Sequence, residues 1–228
     1  MTRPLFLAPY PSFGDFDREA LRRLARQVNR PGVRMAEVGS WLGTGSTQVL
    51  IDELERTAGT LVCVDTWEGS PNVPRHLEIV RDYDVFGTFL HNVERAGERV
   101  RPVRLTSLEA AAAFPDATFD LVFLDGDHSY DATLQDIGAW RRKVAPGGML
   151  CGHDCEARLT DANRALMAGN RHLDTVPGTG TVFSVNHPGV ILAVAEAFGA
   201  AAHLWAEESL ELADRRRGRA TIWDVRVR

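Results

Sequence analysis

One pair of segments constrains this chain more than any other. Met35-Ala-Glu-Val-Gly-Ser-Trp-Leu-Gly-Thr-Gly-Ser46 is followed, one βαβ unit later, by Leu61-Val-Cys-Val-Asp65. The first reads as a strand that ends in a glycine-rich turn and opens a helix. The second reads as the next strand, closed by a carboxylate. Glycines let a ligand approach the backbone, the free N–H groups of a helix start face an anionic or polar tail, and a strand-end acid accepts ribose hydroxyls. The glycine spacing also narrows the ligand. A dinucleotide turn is G-x-G-x-x-G, but Trp41 stands where its second glycine belongs. A bulky indole there would obstruct a pyrophosphate. The pattern is instead E-x-G-x-x-x-G over Glu37, Gly39 and Gly43, with Asp65 twenty-eight residues beyond Glu37.

The remainder of the chain repeats the strand–helix alternation. A helix from Asp15 to Val28 puts Leu21, Leu24, Ala25 and Val28 on one face. Strands are expected at 33–38, 60–65, 100–105, 119–124 and 149–152. Helices are expected from about Ser46, through Phe86–Val93, from Ser107, over 130–143 and over 190–198. Two final strands near 202–206 and 220–226 close the chain. This predicts an α/β, Rossmann-like, doubly wound sheet of seven strands, mostly parallel with an antiparallel last strand, and helices on both faces. The full span 1–228 is expected to be one domain. Residues 1–30 would form an arm and helix, and 31–228 the core. Segments 66–86 and 153–188 lack pattern and would border the ligand site; the second also contains a short helical stretch near 160–168.

At 44% hydrophobic and 25% charged residues, the composition is that of an ordinary globular protein. The net charge of −5 gives no reason to expect nucleic acid or an anionic membrane as partner. The basic run Arg215–Arg219 reads as a solvated loop. No apolar stretch reaches membrane-spanning length, the start lacks a signal-peptide pattern, and three cysteines suit a reducing compartment. A cytoplasmic protein is expected. Cys151-Gly-His-Asp-Cys155 has no second cysteine pair to complete a structural zinc site.

The chemistry gathers after the fourth and fifth core strands, in Asp125-Gly-Asp-His-Ser-Tyr130 and Cys151-Gly-His-Asp154. In a doubly wound sheet these strand ends lie beside the glycine turn. Asp125, Asp127, His128, His153 and Asp154 would converge there. Acids and imidazoles so crowded suit a divalent cation, and a neutral His or an Asp could act as base. Each also has a plain reading: Asp-Gly-Asp suits a turn, His128 could cap the next helix, and Trp67, just past Asp65, could be packing instead of a cofactor contact.

The glycine turn and acid resemble motif I and the ribose acid of class I S-adenosylmethionine-dependent methyltransferases. The stretch Phe119–Tyr130, Asp136-Ile-Gly-Ala-Trp, Ala145–Asp154, His187-Pro-Gly-Val-Ile and Thr221-Ile-Trp223 is similar to a bacterial small-molecule subgroup. That subgroup is similar in its site to catechol O-methyltransferase and the antibiotic-sugar O-methyltransferases. The resemblance implies S-adenosylmethionine as cofactor, with contacts from Glu37, Gly39, Ser40, Gly43, Ser46, Asp65, Trp67, Ser107, Leu108 and Asp125. It implies a divalent metal, Mg²⁺ in the relatives, on Asp125 and Asp154, with His153 at a position where relatives carry a carboxylate or amide. Imidazole is a poor Mg²⁺ ligand, so the ion, the role of His153, or metal binding itself stays open. The resemblance also implies a catalytic base at Asp127 or His128; the pKa of imidazole favours His128. The expected acceptor is a small hydroxylated molecule, a sugar or natural product. An amine acceptor without metal, an NAD-dependent oxidoreductase and a catalytically silent module are the alternatives. Segment 153–188 could equally serve a homo-oligomer contact.

Overall fold

A computed structural model of the chain describes residues 3–10, 13–179 and 181–228. In chain order the elements are α1 (Asp15–Val28), β1 (Arg34–Val38), α2 (Ser46–Leu54), β2 (Thr60–Asp65), α3 (Pro74–Asp82), α4 (Val85–Val93), β3 (Val100–Arg104), α5 (Ser107–Ala113), β4 (Phe119–Leu124), α6 (Tyr130–Arg141) and β5 (Val144–Gly152). Then come α7 (Asp161–Gly169), β6 (Val176–Pro177), β7 (Val185–Asn186), α8 (Pro188–Phe198), β8 (His203–Leu204), β9 (Leu210–Glu211), β10 (Arg217–Gly218) and β11 (Trp223–Arg226).

Seven strands form one sheet in the order β3-β2-β1-β4-β5-β11-β8. β3 through β5 are parallel, and β11 runs antiparallel to both β5 and β8. The chain winds outward in one direction through β1, β2 and β3, then returns to lay β4 against β1. That reversal is the switch point at which α/β sheets bind ligands.

Strand alternation fills both faces. Met35, Leu61, Leu121 and Phe123 point into one core with α1, α2 and α4. Ala36, Val62, Val122 and Leu124 point into the other with α5, α6 and α8. A sheet covered twice needs central strands that are apolar at nearly every position, as β2 and β4 are; the edge strand β3, Val100-Arg-Pro-Val-Arg104, is not.

Register places the site. Val38 is level with Val64 on β2 and Leu124 on β4, and Leu124 is level with Gly152 on β5. The residues that follow these strand ends are therefore neighbours. The Gly39 N–H donates to the Val64 carbonyl at 2.9 Å, Asp125 N–H to Val38 O at 2.8 Å and His153 N–H to Leu124 O at 3.1 Å. Gly39 takes φ +90°, and a Cβ there would lie 1.9 Å from the Asp125 carbonyl oxygen. Only glycine lets β1 and β4 end this close together.

Part of the expected 66–86 loop is helical. Pro74 opens α3 at its first turn, where its missing N–H costs nothing. The breakers Gly69 and Pro71 before it, with Pro74 at its start, hide the helix from a reading by composition. The 153–188 segment carries α7, close to the expected helical stretch, and a small hairpin of β6 and β7. No helix among the described residues is long and apolar enough to cross a membrane.

Candidate active site

Two joined cavities open along the carboxyl ends of the strands. The larger, about 560 Å³, runs from the β1 turn past Asp65 to the Leu105–Leu108 turn and the α6 residues Gln135 and Asp136. Asp65 is held at the end of β2 by two backbone donors: Trp67 N–H to Oδ1 at 2.7 Å and Trp41 N–H to Oδ2 at 2.8 Å. Burial raises its pKa, and these N–H bonds oppose the rise. On the opposite wall the Ser107 hydroxyl accepts from Trp140 Nε1 at 2.9 Å and donates to Asp136. Burial pushes the Asp136 carboxyl up to about 6. Leu108 stays exposed along this wall.

The smaller cavity, about 220 Å³, is lined by the glycine turn from Gly39 to Ser46 on one side and by Asp125, His128, His153, Asp154 and Asp174 on the other. Gly39, Trp41, Asp125 and Gly126 line both cavities. Its outer wall is aromatic. Trp41 stacks on His76 with ring centroids 4.2 Å apart, and His76 Nε2 lies 2.8 Å from the Tyr10 hydroxyl.

His128 is the hub. Its Nδ1 lies 2.8 Å from Asp174 Oδ1; its Nε2 lies 3.3 Å from Asp154 Oδ2 and 3.6 Å from Asp125 Oδ1, with no hydrogen-bond partner. Burial would lower its pKa, but the charges of Asp154 and Asp125 and the bond to Asp174 carry it well above the usual histidine value. His153 behaves alike beside Asp154 and Asp125. Burial acts to raise both carboxyls, and the imidazoles outweigh it and hold Asp125 and Asp154 below the ordinary range. Asp154 sits at φ 62°, a left-handed conformation that costs a non-glycine residue on the order of 1–3 kcal/mol. Behind it Glu156 is buried and clamps His187 through both the ring Nδ1, at 2.5 Å, and the backbone N–H, at 2.9 Å.

Of the residues expected from the sequence, Gly39, Ser40, Gly43, Ser46, Asp125, His128, His153 and Asp154 line the smaller cavity, and Asp65, Ser107, Leu108 and Asp127 line the larger. Glu37 lies one layer beneath, fully buried, accepting from the Thr47 hydroxyl at 2.6 Å. Asp127 turns its carboxylate onto the Ser129 N–H at 2.8 Å, at the start of α6. The expectation of a Trp67 cofactor contact is corrected: its ring is 2% exposed, packs on Phe86 and Phe89, and borders neither cavity. A positive φ of 54° swings it back into the core, where Nε1 donates to Trp41 O. Asp174, Asp17, His76 and Tyr10 were not read from the sequence. The one local signal was Asp136, inside the Asp136-Ile-Gly-Ala-Trp stretch.

A family model described as a methyltransferase domain matches residues 36–155, just over half of the 228. The chain belongs to this methyltransferase-domain family. Among solved structures, the methyltransferase domain resembles cofactor-bound Rv0187 from MTB at TM-score 0.57 and 18% identity, covering 97% of this chain and 84% of that one. It resembles the O-methyltransferase NovP at TM-score 0.55 and 18% identity, covering 94% and 81%. The Podospora anserina methyltransferase PaMTH1, solved with SAH bound, gives TM-score 0.52 and 14% identity, covering 96% and 82%. At these identities the likeness is one of fold. A curated relative, the uncharacterized protein y4gI of Sinorhizobium fredii (strain NBRC 101917 / NGR234), is 27% identical over 95 residues; the match covers 42% of this chain and a tenth of that protein's length.

The methyltransferase domain carries a donor set that fits a divalent cation. One ligand atom each from Asp125, His153 and Asp154 lies within 4.8 Å of the others. Two carboxylates and an imidazole match the donor types of such sites.

Proposed function

We propose that the protein transfers a methyl group from S-adenosylmethionine to a hydroxyl of a small molecule, a sugar or natural product, with assistance from a divalent cation. One observation carries this reading: strand register sets the glycine turn, Asp65 and the Asp125–His128–Asp154 cluster along a single cleft, at the switch point of a methyltransferase-domain sheet.

Asp65 would hold the ribose hydroxyls, with Ser107 and Leu108 flanking the base and Asp136 within reach of its polar edge. Gly39, Ser40, Gly43 and Ser46 would receive the methionine end, with Glu37 supporting the turn from below. Bound there, the sulfonium supplies an activated methyl group, and the domain has mainly to align an acceptor oxygen with it. The shared floor of the two cavities, Gly39 and Asp125–Gly126, is where the ends of that line would meet.

Asp174 fixes the His128 ring through Nδ1, and the buried Nε2 points between Asp154 and Asp125 on the cavity wall. Nε2 would take the proton that an acceptor hydroxyl gives up, and bound S-adenosylmethionine would supply the methyl group to that oxygen. Asp127 already serves the backbone at Ser129, which supports His128 over Asp127 as the base. A cation on Asp125, Asp154 and His153 would lower the pKa of the acceptor hydroxyl and offset the carboxylate charge that otherwise keeps His128 protonated. Trp41, His76, Tyr10 and Phe13 would screen the site from water and hold the acceptor ring.

The carboxylates Asp125, Asp154 and Asp174 would also attract an amine, which keeps metal-independent N-methylation as a second reading. Release of S-adenosylhomocysteine, followed over hydroxylated and amine acceptors with and without EDTA, separates the two. EDTA-sensitive turnover of hydroxylated acceptors is expected. Turnover of amines alone, indifferent to EDTA, would replace the first reading with the second.

A further inference from the structure

His153 has a carboxylate on each side. Its Nδ1 lies 3.1 Å from Asp154 Oδ1 and 3.5 Å from Asp125 Oδ1. Its Nε2 is buried without a hydrogen-bond partner among the described residues and lies 3.6 Å from Asp17 Oδ2. Asp17 comes from the first turn of α1, outside the strand–helix core. Its other oxygen is pinned by the Thr221 N–H at 2.7 Å and the Thr221 hydroxyl at 3.3 Å. Phe13 packs on the imidazole with centroids 4.8 Å apart. The ring is thus held between a fixed carboxylate and an acid cluster, with one nitrogen for each.

This is the layout of a carboxylate–histidine–metal relay. An outer carboxylate that accepts one ring N–H fixes the tautomer and directs the other nitrogen's lone pair at the ion. The gap to Asp17 exceeds a hydrogen bond by a few tenths of an ångström, within reach of a small ring tilt. The nitrogen donor also bears on which ion is held. Magnesium demands oxygen ligands, whereas cobalt, iron, manganese and zinc accept imidazole.

We infer that Asp17 is the positioning residue of His153, and that the pair makes this centre selective for a nitrogen-accepting divalent transition ion over magnesium. The inference rests on the cation-assisted reading above and goes beyond it in naming the class of ion and the residue that tunes the site.

The test is calorimetric titration of chelator-stripped protein with cobalt(II), manganese(II) and magnesium chlorides, in the presence of S-adenosylhomocysteine. Cobalt and manganese should bind one site at least tenfold tighter than magnesium. Asp17→Asn keeps an acceptor for Thr221; it should lower cobalt affinity about 10- to 100-fold with an unchanged melting temperature. His153→Asp should narrow or reverse the preference for cobalt over magnesium. Equal affinity of the wild type for cobalt and magnesium would overturn the selectivity. Unchanged cobalt affinity in Asp17→Asn would overturn the role of Asp17. Binding of no ion to the wild type would remove the cation-assisted reading itself, and the inference with it.

Discussion

On the proposed reading Asp65 and His128 divide the work between binding and chemistry, and single substitutions should separate them. Asp65→Ala removes charge-assisted acceptors aimed into the larger cavity; cofactor affinity should fall by about 1.5–3 kcal/mol, roughly 10- to 150-fold. Calorimetry with S-adenosylhomocysteine measures it, and unchanged affinity would reject the ribose role. His128→Ala should instead cut kcat by about a hundredfold or more while S-adenosylhomocysteine binds nearly as before. Asp174→Ala should lower kcat less, with KM little changed, because it releases the ring without removing it; Asp174→Asn, which keeps an acceptor for Nδ1–H, should restore part of the loss. Loss of cofactor binding in any His128 or Asp174 variant would make these residues structural. The sequence announces Asp65, Asp125 and Asp154 because each closes an apolar strand. Asp174 and Asp17 reach the site from a turn beyond α7 and from α1, and no local pattern marks such long-range arrivals.

Strand ends and the turns between them set how closely the two halves of the site approach. Gly39→Ala would force a Cβ to 1.9 Å from the Asp125 carbonyl oxygen, parting β1 from β4 at the point where both cavities meet. It should lower the melting temperature sharply and abolish cofactor binding. Gly97→Ala is the control: φ +57° and ψ −138° there form a conformation that favours glycine, with no described atom within 4 Å of the new Cβ, so only backbone strain, on the order of 1–3 kcal/mol, should appear, with binding intact. Similar losses in the two variants, measured by thermal melts and calorimetry, would contradict the close-approach argument. Core strands were legible at this scale, since apolar runs of five or six residues bounded by Gly, Asp or Pro leave few alternatives. The helix α3 was not, because breakers directly before it look like loop. Trp67 was misplaced for a related reason: proximity to Asp65 in sequence says nothing about a positive φ that turns its ring into the core.

For the whole molecule, the buried cluster links stability to pH. His128, His153 and His187 keep their protons above the usual histidine range, chiefly through Asp154, and Asp125 and Asp154 are held below the usual carboxylate range. Raised imidazole values stabilise the folded state fully below about pH 6.5, and that contribution is lost as pH climbs through the folded values. Depressed carboxyl values stabilise above about pH 4 and are lost as pH falls. These are the same ion pairs seen from either side, so the contribution counts once. The metal-free protein should be most stable between about pH 4 and 6.5, and its melting temperature should fall as pH rises from 6.5 to about 9. A flat or rising melting temperature over that range would contradict the imidazolium–carboxylate cluster. At this scale the parallel doubly wound sheet followed from the strand–helix alternation, and the antiparallel β11 from the resemblance of the final helix and strand pair to the methyltransferase fold. The segments that border the smaller cavity, the N-terminal arm, 66–86 and 153–188, stood out by their lack of pattern, but the residues they contribute, Tyr10, Phe13, His76 and Asp174, did not, because only the folded chain sets which of their side chains reach it.

The central claim is that the cleft at the switch point is built for an adenosyl-sulfonium cofactor. Calorimetric titration of the purified protein with S-adenosylmethionine, S-adenosylhomocysteine and NAD, repeated on Asp65→Ala, tests it most directly. Both adenosyl ligands should bind the wild type, NAD should not, and Asp65→Ala should weaken both. Binding of NAD alone would contradict it: the glycine turn would then tolerate a pyrophosphate beside Trp41.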